Sequence, residues 1–154
     1  MTTKVPNELL EIGVLADATN FTDSILISQN ASTGTLSSAT DNVGLGDDVF
    51  AALTSGRNSV AIGSNAMDAN TSGKNNVAVG HDALSGNTTA DNNTAIGKSA
   101  MEVNTTGYDN VAVGRNSLDA NTSGHSNTAV GESSLTSNTT GDRNIAIGQN
   151  SMSV

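Results

Sequence analysis

NSVAIG, at residues 58–63, is one of seven versions of a single phrase, and the seven follow one another at a spacing of 17 residues. The others are DNVGLG (41–46), NNVAVG (75–80), NNTAIG (92–97), DNVAVG (109–114), SNTAVG (126–131) and RNIAIG (143–148). Apolar, often β-branched residues on either side of a small one are typical of a short strand. A unit of this size cannot bury its own apolar face, so the repeat predicts that successive units stack in register.

The rest of each unit supplies turns. Three residues after the glycine comes a small residue and then a larger one, as in Ala66-Met67, and a polar corner such as Asn70-Thr71-Ser72-Gly73 follows. Gly, Asn and Thr are turn residues, whereas the Ala-Met segment could be either a second short strand or a helical turn. The sequence therefore predicts an all-β fold, a parallel β-solenoid or β-roll of about seven 17-residue coils over residues 41–154. At about 4.8 Å per coil the rod would be roughly 34 Å long.

The two faces of the strand differ in size. Val60 and Ile62 point one way and Ala61 the other, so the larger pair is expected to fill the coil interior together with Met67. The alanines then form a stripe of small residues that would let a second backbone approach closely, and we interpret it as a subunit interface. An alternative is that alanine lines a narrow coil interior. The stripe consists of Ala61, Ala78, Ala95, Ala112, Ala129 and Ala146.

Composition limits the classes of function. Only 35% of the residues are hydrophobic and 2% are aromatic, so a core of large side chains is excluded and self-association is expected to add burial. The net charge is −9, and the six basic residues are scattered, which excludes a nucleic-acid groove. The chain has no cysteine, no stretch of 18 apolar residues and no recognisable signal peptide, so neither disulfides nor membrane insertion is expected.

The sequence offers little that resembles catalysis. His81 and His125 occupy different repeat positions and lack the spacing of a metal pair. Asp68, Glu102 and Asp119 share one repeat position, which is typical of a solvated edge rather than of a carboxylate pair. The columns of asparagine are interpreted as structural amide ladders. We therefore expect a protein that is not an enzyme and that has no metal or cofactor.

One repeat position changes its chemical type from coil to coil. Such a position is expected to be exposed, because a packed site would restrict size and charge. An exposed variable column on a rigid scaffold is where contacts with a partner or receptor could lie, and the alternative is that it is merely solvated. The column consists of Arg57, Lys74, Asp91, Tyr108, His125 and Asp142.

The repeat also resembles known families. NSVAIGSNA (58–66) is similar to the head repeats of trimeric autotransporter adhesins, which are trimeric left-handed parallel β-rolls with a shorter coil. The longer form, N-T-A-V-G-x-x-A-L-x-x-N-T-T-G, looks like repeats of bacteriophage tail fibres and related virion proteins. Residues 1–10 resemble the N-termini of phage fibre proteins, where that segment attaches to the virion. The resemblance implies a homotrimer.

These features lead to a functional expectation. Residues 1–40 are taken as an attachment arm and cap that docks on another virion protein, with Val5, Pro6, Leu9 and Leu10 in contact with the particle. NELLEIGVLADA (7–18) has a weak helical tendency, and residues 23–28 are predicted to form a strand. Because no signal peptide, stalk heptads or anchor is present, we expect a phage tail fibre or spike, made in the host cytoplasm and located in the virion. It would reach outward to a host receptor or glycan.

Two alternative functions would place the rod outside a phage tail. The same rod could serve as a capsid decoration or vertex protein, or as the head of a bacterial trimeric surface adhesin.

Overall fold

The computed structural model describes residues 13–18, 21–28 and 38–153. Within these ranges all regular secondary structure is β. The strands are β1 (Gly13–Ala18), β2 (Phe21–Ser28), β3 (Ala39–Thr40), β4 (Val43–Leu45), β5 (Val60–Ile62), β6 (Val77–Val79), β7 (Thr94–Ile96), β8 (Val111–Val113), β9 (Thr128–Val130) and β10 (Ile145–Ile147). The predicted all-β class is confirmed.

The sheet is a solenoid sheet. From β4 to β10 each strand pairs in parallel with the strand one repeat later, and the register joins equivalent residues, for example Ala61 with Ala78. Successive strands begin 17 residues apart, so seven strands are joined by six full turns. The predicted parallel β-solenoid is therefore confirmed, with about six complete turns and a partial last coil.

The strands described ahead of the repeats belong to the same sheet. β1 and β2 form an antiparallel pair, and β2 pairs in parallel with both β3 and β4. The strand predicted at 23–28 is confirmed as part of β2. The helical tendency of residues 7–18 is wrong where the structure describes it, because Gly13–Ala18 is a strand. Pairing with a neighbouring strand outweighs a weak local propensity.

Each coil turns by placing residues other than glycine in the left-handed region. Three such positions recur per coil, as at Asn75, Asp82 and Leu84, with φ between 54° and 57°. Asn and Asp tolerate this conformation, whereas a bulky residue there costs about 1–2 kcal/mol. Leu84 is completely buried, and that burial offsets the cost. The small-large segment is therefore neither a strand nor a helical turn but a left-handed bend.

The interior of the coil overturns the predicted orientation of the strand. Ala61, Ala78, Ala95, Ala112 and Ala129 have no exposed surface in the single chain, and Ala146 has 2%. The flanking strand residues are half-buried or exposed. The alanine column lines the inside of the coil, and its assignment as a subunit interface is wrong.

The physical reason is the narrowness of the coil. Opposite the strand, the interior is already occupied by the large residue of the bend, such as Met67 or Leu84, which is fully buried. Buried asparagines take up more of the space. The space that remains inside the coil, next to the central residue of the strand, is large enough only for a methyl group. The predicted burial of Met67 is confirmed, and only the strand faces are exchanged.

Buried amides connect the coils. The Asn93 backbone N–H donates to Asn76 Oδ1 at 2.8 Å, and Asn93 Nδ2 donates to the Gly107 carbonyl at 2.8 Å, across its own coil. The corner asparagines form a second ladder, in which Asn87 Nδ2 donates to Asn70 Oδ1 at 3.0 Å. The predicted structural ladders are confirmed. Because these amides are hydrogen-bonded, they can be buried without the cost of an unsatisfied polar group.

Candidate functional site

The outward face of the strands is an apolar stripe along the rod. It alternates with the buried alanines, so each strand of the solenoid presents two side chains to solvent. Ile62 and Ile96 are 37% and 40% exposed. The exposed large members of the stripe are Val43, Leu45, Ile62, Ile96, Val111, Ile145 and Ile147. The outward positions are apolar in the described strands except at Thr94 and Thr128, and sequence reasoning placed this face inside.

The variable column runs along another line of the rod. Arg57, Tyr108 and Asp142 are exposed, and Lys74, Asp91 and His125 are half-buried. The half-buried members are partly covered because residues of this column form hydrogen bonds from one coil to the next. The Lys74 N–H donates to Asp91 Oδ1 at 2.7 Å, one coil further on. The role of this column in binding a partner stays a prediction.

Three members of the column form one stack. The rings of Tyr108 and His125 lie 4.8 Å apart between centroids and within 9° of parallel. His125 Nδ1 is 2.7 Å from Asp142 Oδ1, and the His125 backbone N–H donates to the same oxygen at 2.9 Å. Offset and stacked rings at this separation attract one another. Tyr108 is thereby held on one face, and the stack positions its ring.

A depression lies on the other side of Tyr108. It has a volume of about 270 Å³, and Thr89, Ala90, Asp91, Asn92, Thr106 and Tyr108 line it. Sequence reasoning did not find this depression. The available signal was Ala90, which takes the place that glycine holds in the corners at Gly56, Gly73, Gly107, Gly124 and Gly141.

A second groove of about 440 Å³ follows the acidic edge. Asp68, Ser85 and Glu102 contribute to it, together with Val103 and Thr105. Burial raises the pKa of the Asp68 carboxyl, and the charges of nearby aspartates raise it further, against hydrogen bonds from the local backbone. Asp119 accepts a hydrogen bond from the Thr136 hydroxyl at 2.6 Å. These carboxyls lie along one line of the rod, as their common repeat position predicts.

Several predicted residues lie elsewhere. Val5, Pro6, Leu9 and Leu10 are outside the described residues. In the described ranges, no three His, Asp or Glu side chains lie together as a metal site would require. The same ranges contain no helix of the length and apolarity needed to cross a membrane.

Comparison with protein-family models, curated proteins and solved structures finds no match to this chain.

Proposed function

We propose that this chain is a non-enzymatic structural rod, a homotrimeric fibre or spike of a virion. The observation that carries the proposal is the apolar stripe on the outside of a regular solenoid. Extended exposed apolar surfaces mark interaction sites in folded proteins, because water contact with them is unfavourable.

The stripe suits a second copy of the same chain. Its members repeat with the coil, so two parallel rods present the same spacing to each other at every level, roughly 4.8 Å per coil. The strand positions of the stripe carry valine, isoleucine, leucine or threonine and no charge. An interface of uncharged, β-branched side chains buries apolar area without leaving an ion unpaired. A trimer closes such contacts around an axis, as the resemblance to trimeric β-rolls implies.

The polar side chains support a structural role. Carboxylates and amides bond from one coil to the next: Asn65 Nδ2 donates to Asp82 Oδ1 at 2.9 Å, and Arg115 pairs with Glu132. Groups that hold neighbouring coils together stiffen the rod. The location in a virion fibre rests on the resemblance of the repeat and of residues 1–10 to phage fibre proteins.

Light scattering on the full chain tests the oligomer. We expect three times the mass of one chain at micromolar concentration, and a mass of one chain would contradict the proposal.

Electron microscopy of the parent particle, labelled with an antibody against residues 41–154, tests the location. Label on tail fibres or spikes supports the proposal, whereas label spread over a capsid favours a decoration protein.

A further inference from the structure

The corner that contains Ala90 has a Cβ at the position where the other corners of the solenoid have glycine. At Gly73 an added Cβ would lie 2.5 Å from the carbonyl oxygen of Ala90 in the next coil, and at Gly107 it would collide with the Gly124 carbonyl. Ala90 carries such a Cβ and is only 5% exposed. The next coil must therefore give way at this corner.

The hydrogen bonds between the two coils are longer at this corner than at equivalent corners. The Thr88 N–H lies 3.5 Å from the Thr105 carbonyl, whereas the equivalent bonds from Thr71, Thr105 and Thr122 are 2.9, 3.1 and 2.8 Å. The Thr88 hydroxyl is 3.3 Å from the same carbonyl, compared with 2.9 Å for the Thr71 hydroxyl and its own acceptor. The two coils are loosened at this corner, which is where the depression beside Tyr108 lies.

From this arrangement the geometry points to a binding site for a neutral saccharide in the depression between Ala90 and Tyr108. It deepens the proposed function by naming a ligand class for the outward column. It rests on the geometry of a single chain and does not require the trimer. The depression's volume of about 270 Å³ is just below the range of about 300–1,000 Å³ that is typical of ligand pockets, so the ligand would be no larger than one sugar ring.

The aromatic ring supplies one half of the recognition. Tyr108 is 45% exposed, and its stacking on His125 leaves its other side to the depression. The face of an aromatic ring is electron-rich, and the C–H groups on one face of a pyranose are weakly positive and apolar. A ring already held by a neighbour loses little conformational entropy when a ligand stacks on it.

The rim supplies the other half. Thr89 and Thr106 provide hydroxyls, and Asp91 provides its second carboxylate oxygen, since Oδ1 already accepts from the Lys74 N–H. The Asn92 amide already bonds Asn75 and Asp109, and it offers its second N–H and its second lone pair. A sugar hydroxyl both donates and accepts, and it can satisfy either kind of group. Asp91 in the rim and the chain's net charge of −9 disfavour an anion. A single aromatic wall does not form the cage that a quaternary ammonium ion prefers.

The test is a titration of the full chain with neutral methyl glycosides of glucose, galactose, mannose and N-acetylglucosamine. Since the chain has one tyrosine and no tryptophan, the ring resonances of Tyr108 report directly on the depression. Titration to about 50 mM exceeds the millimolar Kd expected of one shallow site. We expect at least one glycoside to shift these resonances saturably.

Matched variants separate stacking from other effects, with binding followed by the amide resonances of residues 89–92. Tyr108→Leu should weaken binding at least about tenfold, and Tyr108→Phe should keep it within about threefold. Ala90→Gly should weaken binding several-fold, because it lets the coils close. Arg57→Leu, in the same column but three coils away, should leave binding unchanged.

Four outcomes would overturn the inference. They are no saturable shift with any neutral glycoside, binding that survives Tyr108→Leu, tighter binding of a methyl glucuronide, and tighter binding of choline. Light scattering tests the proposed trimer separately, so the failure of one proposal can be told apart from the failure of the other.

Discussion

The inner and outer faces of one strand have opposite surroundings although their residues are neighbours in the chain. Ala95, at the centre of β7, has no exposed surface, while Ile96 beside it is 40% exposed. The smaller residue is buried and the larger one faces outward, the reverse of what hydrophobicity alone predicts. The comparison shows that the inside of this coil is limited by space and by hydrogen bonding, and the outside by what it contacts.

The largest expected effect lies in the buried amide ladder. Asn93→Ala leaves the Asn110 N–H without its acceptor, Asn93 Oδ1 at 3.0 Å. It also removes one of the two donors to the Gly107 carbonyl, which keeps Asn104 Nδ2 at 2.9 Å. The orphaned N–H costs about 1–3 kcal/mol and the lost bond to the carbonyl about 0.5–1.5 kcal/mol, so the free energy of unfolding should fall by about 1.5–4.5 kcal/mol. Chemical unfolding measures the change.

The exposed neighbour Asn92 is the control. Its amide belongs to a surface ladder, and its φ of 61° makes alanine unfavourable there by about 1–2 kcal/mol. If Asn92→Ala destabilised the chain as much as Asn93→Ala, the buried ladder would not be what holds the coils together.

A larger residue in the alanine column should be the next most damaging change. Ala95→Leu overpacks an interior with no spare space, at a cost of about 1–3 kcal/mol in unfolding free energy. Ile96→Leu, one residue further on and outside the coil, should cost less than about 0.5 kcal/mol. Thermal unfolding of both variants decides the point. Equal effects would mean that the two faces of β7 are not packed differently.

Charges on the outer face should change assembly more than folding. We expect the double substitution Ile62→Glu with Ile96→Glu to reduce the light-scattering mass to that of one chain, because a buried contact would then contain unpaired carboxylates. Far-UV circular dichroism should still show β-structure. Lys98→Glu changes the net charge by the same −2 on another exposed line and should leave the mass unchanged. Loss of assembly in that control would implicate overall charge instead.

The smallest effect concerns Asp68, whose carboxyl has a raised pKa because of burial and then of nearby aspartates. A raised folded-state pKa means that the folded chain holds this proton more tightly, so stability decreases as the pH rises through that pKa. Asp68→Asn should therefore be more stable than the parent above the pKa, and the advantage should shrink in acid. Unfolding midpoints of both proteins across a range of pH measure this difference in stability. A difference that grew in acid would contradict the raised pKa of Asp68.

The sequence was enough to predict one part of the candidate site, the variable column. The column from Arg57 to Asp142 could be found because recurrence within one chain separates positions that the coil dictates from those that vary. The depression beside Tyr108 could not be found in this way. It depends on how far one extra Cβ, that of Ala90 in the corner column, displaces the next coil, and that displacement is a matter of tenths of an ångström.

The sequence by itself determined the repeat, the class of fold and the register. A spacing of 17 residues without insertion leaves stacking in parallel as the way for each unit to bury its apolar face and pair its backbone. Tertiary structure alone decided which face of the strand is inside. Alternation places Ala95 and Ile96 on opposite sides but does not say which side is the interior. That choice depends on the space left by Leu84, Met101 and the buried asparagines, which only the folding of the chain into coils brings together in one interior.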